Sequence, residues 1–399
     1  GKLKTREGRN RNSDLAYLIN GLGPILEKED PYTPMQDKAG NPKEYLTRDQ
    51  VDNLKPVLGV KPLRYVTGIE FLKSLNSDEV SKNPEKLKQI KDAIKTNGAV
   101  VSNIYMAHDS NSTFPYTNDL YYNKEKYAYY ADGKDGKYKN AANHAVSIVG
   151  WDDNYSRDNF KTKPKNNGAW IVKDAQSEEF GDKGYFYVSY ESVSMGEDPY
   201  VFTKTVDNKD FDGIHQHDEV PFSGYLRWNH LSESEENKTV LFNKYATTAE
   251  ETLNMIGFYT TKPNAEYEVY YISDFDAFEK EAKKYSEDEE EEFYNFIQKY
   301  KISSGVKEKA GYHTLNIDTK ELHKGQKFGL GIWVKNSEKE DPKHDYDMVI
   351  EKKEVGGVGE NAKVNPGETY AFTFLGFDDI NKRNPKIGNA VIKGYYKLK

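Results

Sequence analysis

Three apolar or aromatic segments constrain how the middle of this 399-residue chain can fold. They are residues 145–151, 168–173 and 184–190, and each is bounded by glycine, aspartate or asparagine. Apolar runs of this length between turn-forming residues are typical of buried strands. The polar, Lys-rich stretch 154–167 predicts a surface loop between the first two. We therefore expect those two strands to pair in an antiparallel sheet.

The region before these strands has helical periodicity. Residues 14–28 predict a short helix that Asp14 can cap, and residues 69–77 and 84–96 predict two more because their apolar side chains recur at helical spacing. Residues 99–106 then predict a buried strand. Helices followed by strands indicate an α+β domain.

Beyond a boundary expected within residues 203–222, the pattern is that of short alternating strands. The predicted strands cover residues 238–245, 252–260, 266–272, 311–317, 327–334, 347–352 and 370–375. Many short strands separated by turn residues are typical of an all-β sandwich or jelly roll. The acidic segment 276–301, with six consecutive carboxylates at 287–292, predicts a helix or a mobile insertion on the surface.

Composition excludes several classes of protein. The net charge of −8 gives no basic face for nucleic acid, and no run of eighteen apolar residues predicts a membrane span. An aromatic content of 13 % is high for a disordered chain, so we expect a folded protein. The absence of cysteine excludes disulfides within the chain. It is explained by chance, by an intracellular origin, or by export of a bacterial protein whose nucleophilic cysteine lies outside this chain.

A candidate catalytic pair lies at the ends of the first two central strands. His144 opens one strand, and Asp174 follows the next, with the polar loop between them. An antiparallel pairing would bring these residues together at one edge of the sheet. A carboxylate that accepts one ring N–H fixes the tautomer and orientation of an imidazole that acts as a base toward a thiol or hydroxyl. The alternative is a structural histidine at the start of a strand.

Two longer segments carry a family resemblance. Residues 143–152 (NHAVSIVGWD) and 167–190 (NGAWIVKDAQ, then FGDKGYFYVSY) resemble the His and Asn strands of papain-like cysteine peptidases. Residues 16–32 and 97–105 resemble other parts of the same family, so the resemblance covers roughly residues 10–200. It implies a papain-like peptidase domain, a polypeptide substrate, His144 as the base and Asp174 as the residue that orients it.

The C-terminal half resembles the lectin-like domain that is fused to such peptidases on Gram-positive cell surfaces. Residues 212–218, 249–259 and 328–332 carry this weaker resemblance. It implies a secreted or cell-surface location and a surface protein or cell-wall glycan as a partner. The expected organisation is a peptidase domain at 1–205, a linker at 206–222 and a lectin-like β-sandwich at 223–399.

The chain departs from the papain pattern in three ways. It lacks the helix that carries the nucleophilic cysteine, Asp174 stands where the family has Asn, and Gln176 stands where the family has a shielding Trp. Loss of the indole is expected to open the catalytic pair to water. Two interpretations of the missing cysteine follow: a separate N-terminal fragment brings it, or the chain is an inactive pseudopeptidase that serves as an adhesin or binding module. A further possibility is that the β domain only packs against the peptidase domain and stabilises it.

Other side chains suggest metal sites, each with a structural alternative. His215 and His217 are spaced to bind zinc or copper from one face of a strand, but packing is the favoured interpretation. Carboxylate pairs could bind calcium, although such pairs are common on loops without metal. The pairs are Asp274 with Asp276 and Asp378 with Asp379. No other cofactor is expected.

A group of tyrosines between residues 121 and 130 is expected to pack a long loop beside the cleft. Peptide binding is the alternative role for this group. The tyrosines are Tyr121, Tyr122, Tyr127, Tyr129 and Tyr130.

Overall fold

The structure is a computed structural model, and it describes most of the chain. The described residues are 11–24, 26, 62–106, 121–133, 142–175, 178, 180–219, 223–226, 239–336, 348–353, 362–373 and 375–399. They fall into two compact units. The continuous unit is Ile69–Thr203, and the discontinuous unit combines Gly1–Gly68 with Lys204–Lys399.

Helices are short, and the described residues contain six α-helices. They are α1 (Arg11–Tyr17), α2 (Ser77–Lys82), α3 (Lys88–Asn97), α4 (Phe275–Ala282), α5 (Glu290–Ile297) and α6 (Ile380–Arg383). A π-helical turn, Leu18–Leu22, follows α1, and 3₁₀ turns cover Pro84–Leu87, Arg157–Asn159 and Gln298–Tyr300. None of the helices in the described part of the chain is long and apolar enough to cross a membrane.

Strands dominate both units. In the continuous unit and at its borders they are β1 (Arg64–Phe71), β2 (Val100–Ile104), β3 (Tyr122–Asn123), β4 (Ala128–Tyr129), β5 (His144–Asp152), β6 (Ala169–Lys173), β7 (Tyr185–Ser189) and β8 (Glu197–Asp207). In the discontinuous unit they are β9 (Gly213–His215), β10 (Gly224–Leu226), β11 (Leu241–Ala246), β12 (Glu251–Thr260), β13 (Ala265–Ile272), β14 (Lys301–Lys307), β15 (Gly311–Leu322), β16 (Lys327–Lys335), β17 (Met348–Glu351), β18 (Thr369–Thr373), β19 (Gly376–Asp379), β20 (Asn389–Ala390) and β21 (Ile392–Leu398).

The continuous unit is built on the strand order β3-β4-β7-β6-β5-β2-β8. All of these pairs are antiparallel except β4 with β7. The predicted antiparallel pairing of β5 with β6 is confirmed, with Ser147 opposite Lys173 and Asp152 opposite Ala169. Helix α3 buries Ile90 in the same apolar core as Trp170 of β6.

The helix predicted at 69–77 is wrong. Residues 64–71 form β1, whose central residues are buried, and α2 begins only at Ser77. The apolar residues Val66 and Ile69 are fully or almost fully buried, which is the pattern of a strand inside a sheet. Short apolar runs do not distinguish such a strand from a buried helix. The helix predicted at 84–96 begins after the cap residue Asn83 as the 3₁₀ turn Pro84–Leu87, and it continues as α3.

The discontinuous unit contains the predicted β-rich domain. Its six-stranded sheet has the order β14-β13-β16-β11-β18-β19, and the antiparallel strands β15-β12-β21-β9 form a second layer. Ile256 of β12 shares one apolar core with Val269 of β13 and Leu330 of β16, so the layers pack face to face like a sandwich. The predicted α+β fold class with a following β-rich domain is confirmed.

Two predicted segments have defined structures in this unit. The acidic segment 276–301 forms most of α4 together with α5, and Phe278 and Phe293 bury its aromatic face beneath largely exposed carboxylates. The predicted linker 206–222 contains β9, which pairs with β21. The exact domain boundaries remain a prediction.

Gly257 of β12 lies against the phenol of Tyr312, where a Cβ atom would clash with the hydroxyl. That hydroxyl is 2.6 Å from the hydroxyl of Tyr395, and both rings are fully or almost fully buried. We expect Gly257→Ala to reduce the free energy of unfolding by about 1–3 kcal/mol, because overpacking must displace this pair. Chemical denaturation measures the effect. Gly150→Ala is the control, since its Cβ would meet Ile171 only at ordinary contact distance; equal losses in both variants would contradict the packing argument.

A second prediction concerns acid stability. Burial, assisted by the charge of Lys307, lowers the pKa of His313 from 6.5 to about 4. The unfolded chain therefore binds a proton that the folded chain rejects, so stability is full above pH 6.5 and falls as the pH drops toward 4. His313→Gln is expected to recover about 2 kcal/mol of the loss seen between pH 7.5 and pH 5. Denaturant titrations at the two pH values test this, and an identical loss in wild type and variant would contradict it.

Candidate active site

His144 and Asp174 meet at one edge of the sheet in the continuous unit. The Nε2 atom of His144 is 2.9 Å from Oδ2 of Asp174. The Asp174 side chain is 0 % exposed, and the His144 side chain is 24 % exposed. The carboxylate is therefore buried behind an imidazole that reaches the surface.

Backbone contacts hold both partners in place. His144 is paired with Ile104 of β2, and the backbone N–H of Asp174 donates to the carbonyl of Gly184 at 2.9 Å. Asn143, which precedes the histidine, binds Met106 through both ends of its amide. Its Oδ1 accepts from the Met106 N–H at 2.8 Å, and its Nδ2 donates to the Met106 carbonyl at 2.9 Å. No motif in the sequence predicts this role of Asn143.

The geometry determines which ring nitrogen of His144 is available. With Nε2 directed at the carboxylate, Nδ1 is the nitrogen that remains for a reacting group. The carboxylate stabilises the imidazolium that forms when Nδ1 accepts a proton. The pair therefore has the arrangement of a general base with its orienting group. The nucleophile that such a base would activate is not a cysteine of this chain, which has none.

The expectation that loss of the indole opens the pair to water stays a prediction: the His144 side chain is 24 % exposed, and the Asp174 side chain is 0 % exposed. The backbone N–H of Asp174 ties it to Gly184 in the neighbouring turn, and its side chain is buried. A cavity of about 280 Å³ lies beside it, lined by Val101, Ala145, Val146, Ser147, Lys173, Asp174 and Ala175. Gln176 lies outside the described residues.

His215 and His217 have the structural role that the sequence analysis favoured. His215 Nε2 is 2.7 Å from a carboxylate oxygen of the buried Glu251, and its ring packs against Phe328. His217 Nε2 donates to the backbone carbonyl of Lys244 at 2.7 Å. Burial lowers the pKa of both histidines.

The carboxylates considered for calcium have protein partners. Asp274 caps α4, and Asp276 forms ion pairs with Lys244 at 2.6 Å and Lys327 at 2.7 Å. Asp379 caps α6, and Asp378 accepts from Arg383 Nε at 2.9 Å. Among the residues that the structure describes, no group of three or more His, Cys, Asp or Glu side chains could hold a metal ion.

The tyrosine group packs the interior of the continuous unit. Tyr121, Tyr122, Tyr129 and Tyr130 are buried, whereas Tyr127 is 39 % exposed. The Tyr129 hydroxyl donates to the carbonyl of Tyr105. Packing, rather than peptide binding, explains the four buried rings.

Comparisons with known proteins agree with this architecture. The family model for the papain family cysteine protease matches residues 16–203, and the family model for the lectin-like domain matches residues 214–396. The comparison with curated proteins found no match.

Two solved structures resemble the whole chain. One is a cysteine-to-alanine variant of the clostridial cysteine protease Cwp84 after propeptide cleavage, with 26 % identity and a TM-score of 0.69; the match covers 100 % of this chain and 84 % of that one. The other contains the cysteine protease and lectin-like domains of Cwp84, a surface layer associated protein of Clostridium difficile. It has 25 % identity and a TM-score of 0.67, and the match covers 100 % of this chain and 75 % of that one.

The two matched families occur in the order that the sequence predicts, and the described strands and helices of each region fit that assignment. The chain therefore has a papain-like domain, matched over residues 16–203, followed by a lectin-like domain, matched over residues 214–396.

Proposed function

We propose that this chain is the base-bearing part of a papain-like cysteine peptidase that cleaves polypeptides. The observation that carries the proposal is the hydrogen-bonded pair of His144 and Asp174 at the sheet edge. A cysteine from a separate or preceding N-terminal segment would complete the active site. The buried carboxylate, the available Nδ1 atom and the match to the papain family support this function.

In the proposed reaction, His144 Nδ1 accepts the proton of the cysteine thiol while Nε2–H donates to Asp174. The resulting thiolate attacks the peptide carbonyl and forms a tetrahedral intermediate. The imidazolium returns the proton to the leaving amine, and an acyl-enzyme remains that water hydrolyses with His144 again as the base. Asp174 orients the ring and balances its positive charge throughout.

We further propose that the protein works outside the cell, secreted or attached to a Gram-positive bacterial surface. Cwp84 is described as a surface layer associated protein, and it has the same pair of domains at 25 % identity. The substrate would then be a surface polypeptide. A cell-wall glycan is the proposed partner of the lectin-like domain.

The alternative is a catalytically inactive pseudopeptidase that acts as an adhesin. It is favoured by the absence of cysteine from the chain and by the departures from the papain pattern at Asp174 and Gln176. In that case the lectin-like domain would carry the function by binding glycan or protein.

Covalent labelling of the native protein by a thiol-reactive peptide epoxide distinguishes the two functions. We expect the 399-residue chain by itself to show no labelling and no hydrolysis of peptide substrates, because it offers no thiol. The native preparation is expected to contain a second, cysteine-bearing polypeptide or segment that is labelled, as seen by intact mass spectrometry. A native preparation without any labelled species would support the adhesin.

Variants of the cysteine-bearing native protein test the catalytic pair. His144→Ala is expected to reduce kcat/KM by about 10³-fold, within the usual contribution of general base catalysis. Asp174→Asn is expected to stay within about tenfold of wild type, because the amide oxygen can also accept the ring N–H, whereas Asp174→Ala is expected to lose more. The measurement is hydrolysis of a fluorogenic peptide.

His323→Ala is the matched control for these variants. The His323 side chain is 75 % exposed in the discontinuous unit, where it contacts Glu250, and it has no place in the proposed reaction. Its kcat/KM is expected to equal that of wild type. Retention of full activity by His144→Ala would contradict the proposed role of the pair.

A further inference from the structure

A buried lysine of the lectin-like domain binds a segment that belongs to the papain-family match. The Lys393 ammonium, on β21, is 0 % exposed. It is 2.6 Å from Oδ2 of Asp218, 2.6 Å from Oε1 of Gln216 and 2.8 Å from Oδ1 of Asn20. These three acceptors match the three N–H groups of the ammonium. Asn20 lies in the π-helical turn after α1, within the residues matched by the papain family.

The side-chain amide nitrogen and the backbone carbonyl of Asn20 also bind residues 216–219 of the lectin-like domain. Its Nδ2 donates to the carbonyls of Glu219 at 2.9 Å and Asp218 at 3.3 Å. Its own backbone carbonyl accepts from Gln216 Nε2 at 3.4 Å. The side chain and backbone carbonyl of Asn20 together therefore link the turn to both ends of the Gln216–Glu219 stretch and to β21.

The backbone of the same turn approaches its neighbours closely. Gly21 has a φ of 82°, and a Cβ there would lie 3.0 Å from Cδ1 of Ile214 on β9. Gly23 has a φ of 43°, and a Cβ there would clash with Pro62. The positive φ favours glycine at both positions, and at Gly23 the lack of space requires it as well. The Leu63 N–H also donates to the carbonyl of Pro24 at 3.0 Å.

Aromatic contacts attach the start of β1 to the same face. The ring centroids of Tyr65 and Phe211 are 4.4 Å apart, and those of Phe211 and Tyr395 are 4.8 Å apart. Asn208 Nδ2 donates to the Pro62 carbonyl at 2.9 Å. Two separate stretches of the papain-family match, around Asn20 and Tyr65, thus contact residues 208–219 and β21.

Burial couples Lys393 to its hydrogen-bonding partners: it lowers the pKa of the ammonium, and the carboxylate of Asp218 opposes that shift. A lysine and an aspartate that both lie out of reach of water are stable together only while their hydrogen-bonding partners are present. Removal of the Asn20 turn would leave the ammonium one acceptor short and would uncover Asp218. The segment and the lectin-like strands are therefore stable as one structure.

We propose that the face of the lectin-like domain around Lys393 is a built-in binding site for residues 18–24 and 62–65 of the peptidase, which it holds in position. This role of the lectin-like domain goes beyond the proposed catalysis and does not depend on it. The occupant of this face is a peptide segment of the same chain. A fragment that starts at residue 223 would lack Gln216, Asp218 and β9, so it would carry Lys393 without its partners.

The test is hydrogen–deuterium exchange of the full 399-residue chain, read by mass spectrometry. Asn20→Ala is expected to raise the exchange rate of residues 11–24 at least tenfold, while β12 and β16 keep their wild-type protection. Asn295→Ala, an exposed asparagine on α5 in the same unit, is the matched control and is expected to change neither region. Unchanged exchange of residues 11–24 in Asn20→Ala would overturn the proposal, as would an equal rise throughout the unit.

A double variant keeps the proposal testable if Asn20→Ala fails to fold. Lys393→Met with Asp218→Leu replaces the ion pair by apolar side chains of similar size, which a core tolerates better than a single unpaired charge. The expected result is a melting temperature above that of either single variant, with residues 11–24 still exchanging faster than in wild type. Wild-type protection of that segment in the folded double variant would show that Lys393 does not hold it.

Discussion

The antiparallel register of β5 with β6 places His144 beside Asp174. Side chains alternate between the faces of a strand, so a shift of one residue would turn either His144 or Asp174 to the other side of the sheet. The observed register is interrupted by an irregularity between Ile148 and Gly150, yet it brings the start of β5 and the end of β6 to the same edge. The 2.9 Å contact between the two side chains follows from this register and from the backbone bonds of Asn143 and Asp174.

The two side chains of the His144–Asp174 pair differ in burial. Asp174 stands where the papain pattern has asparagine, and its buried carboxylate is hydrogen-bonded to the imidazole of His144. The imidazole reaches solvent while its orienting carboxylate does not. The site retains the organisation of a base, although this chain contains no thiol for it to activate.

The sequence predicted those features that depend on local pattern. Apolar runs bounded by glycine and aspartate located β5, β6 and most strands of the lectin-like domain, and the His and Asp positions followed from the family pattern. The helix prediction at 69–77 was wrong because a buried strand and a buried helix have similar short apolar runs. The bond between Asn20 and Lys393 joins residues 373 positions apart, and nothing near either residue indicates it. Lys393 is one of two lysines in β21, and only the fold shows that it is the one inside the core.

The core of the lectin-like domain holds a turn of the papain-family region. Its strands bury the ion pair of Lys393 and Asp218, and this pair binds a turn that precedes the catalytic strands in the sequence. Catalysis and anchoring are separate proposals, since one depends on β5 and β6 and the other on β21 and the turn at Asn20.

The most direct test of the central claim is an experimental structure of the native protein together with its cysteine-bearing segment. The account predicts a cysteine sulfur within roughly 4 Å of His144 Nδ1, with Nε2 still bound to Asp174. A sulfur located elsewhere, or an Nδ1 atom occupied by another protein group in every copy, would contradict the assignment of this pair to a cysteine peptidase.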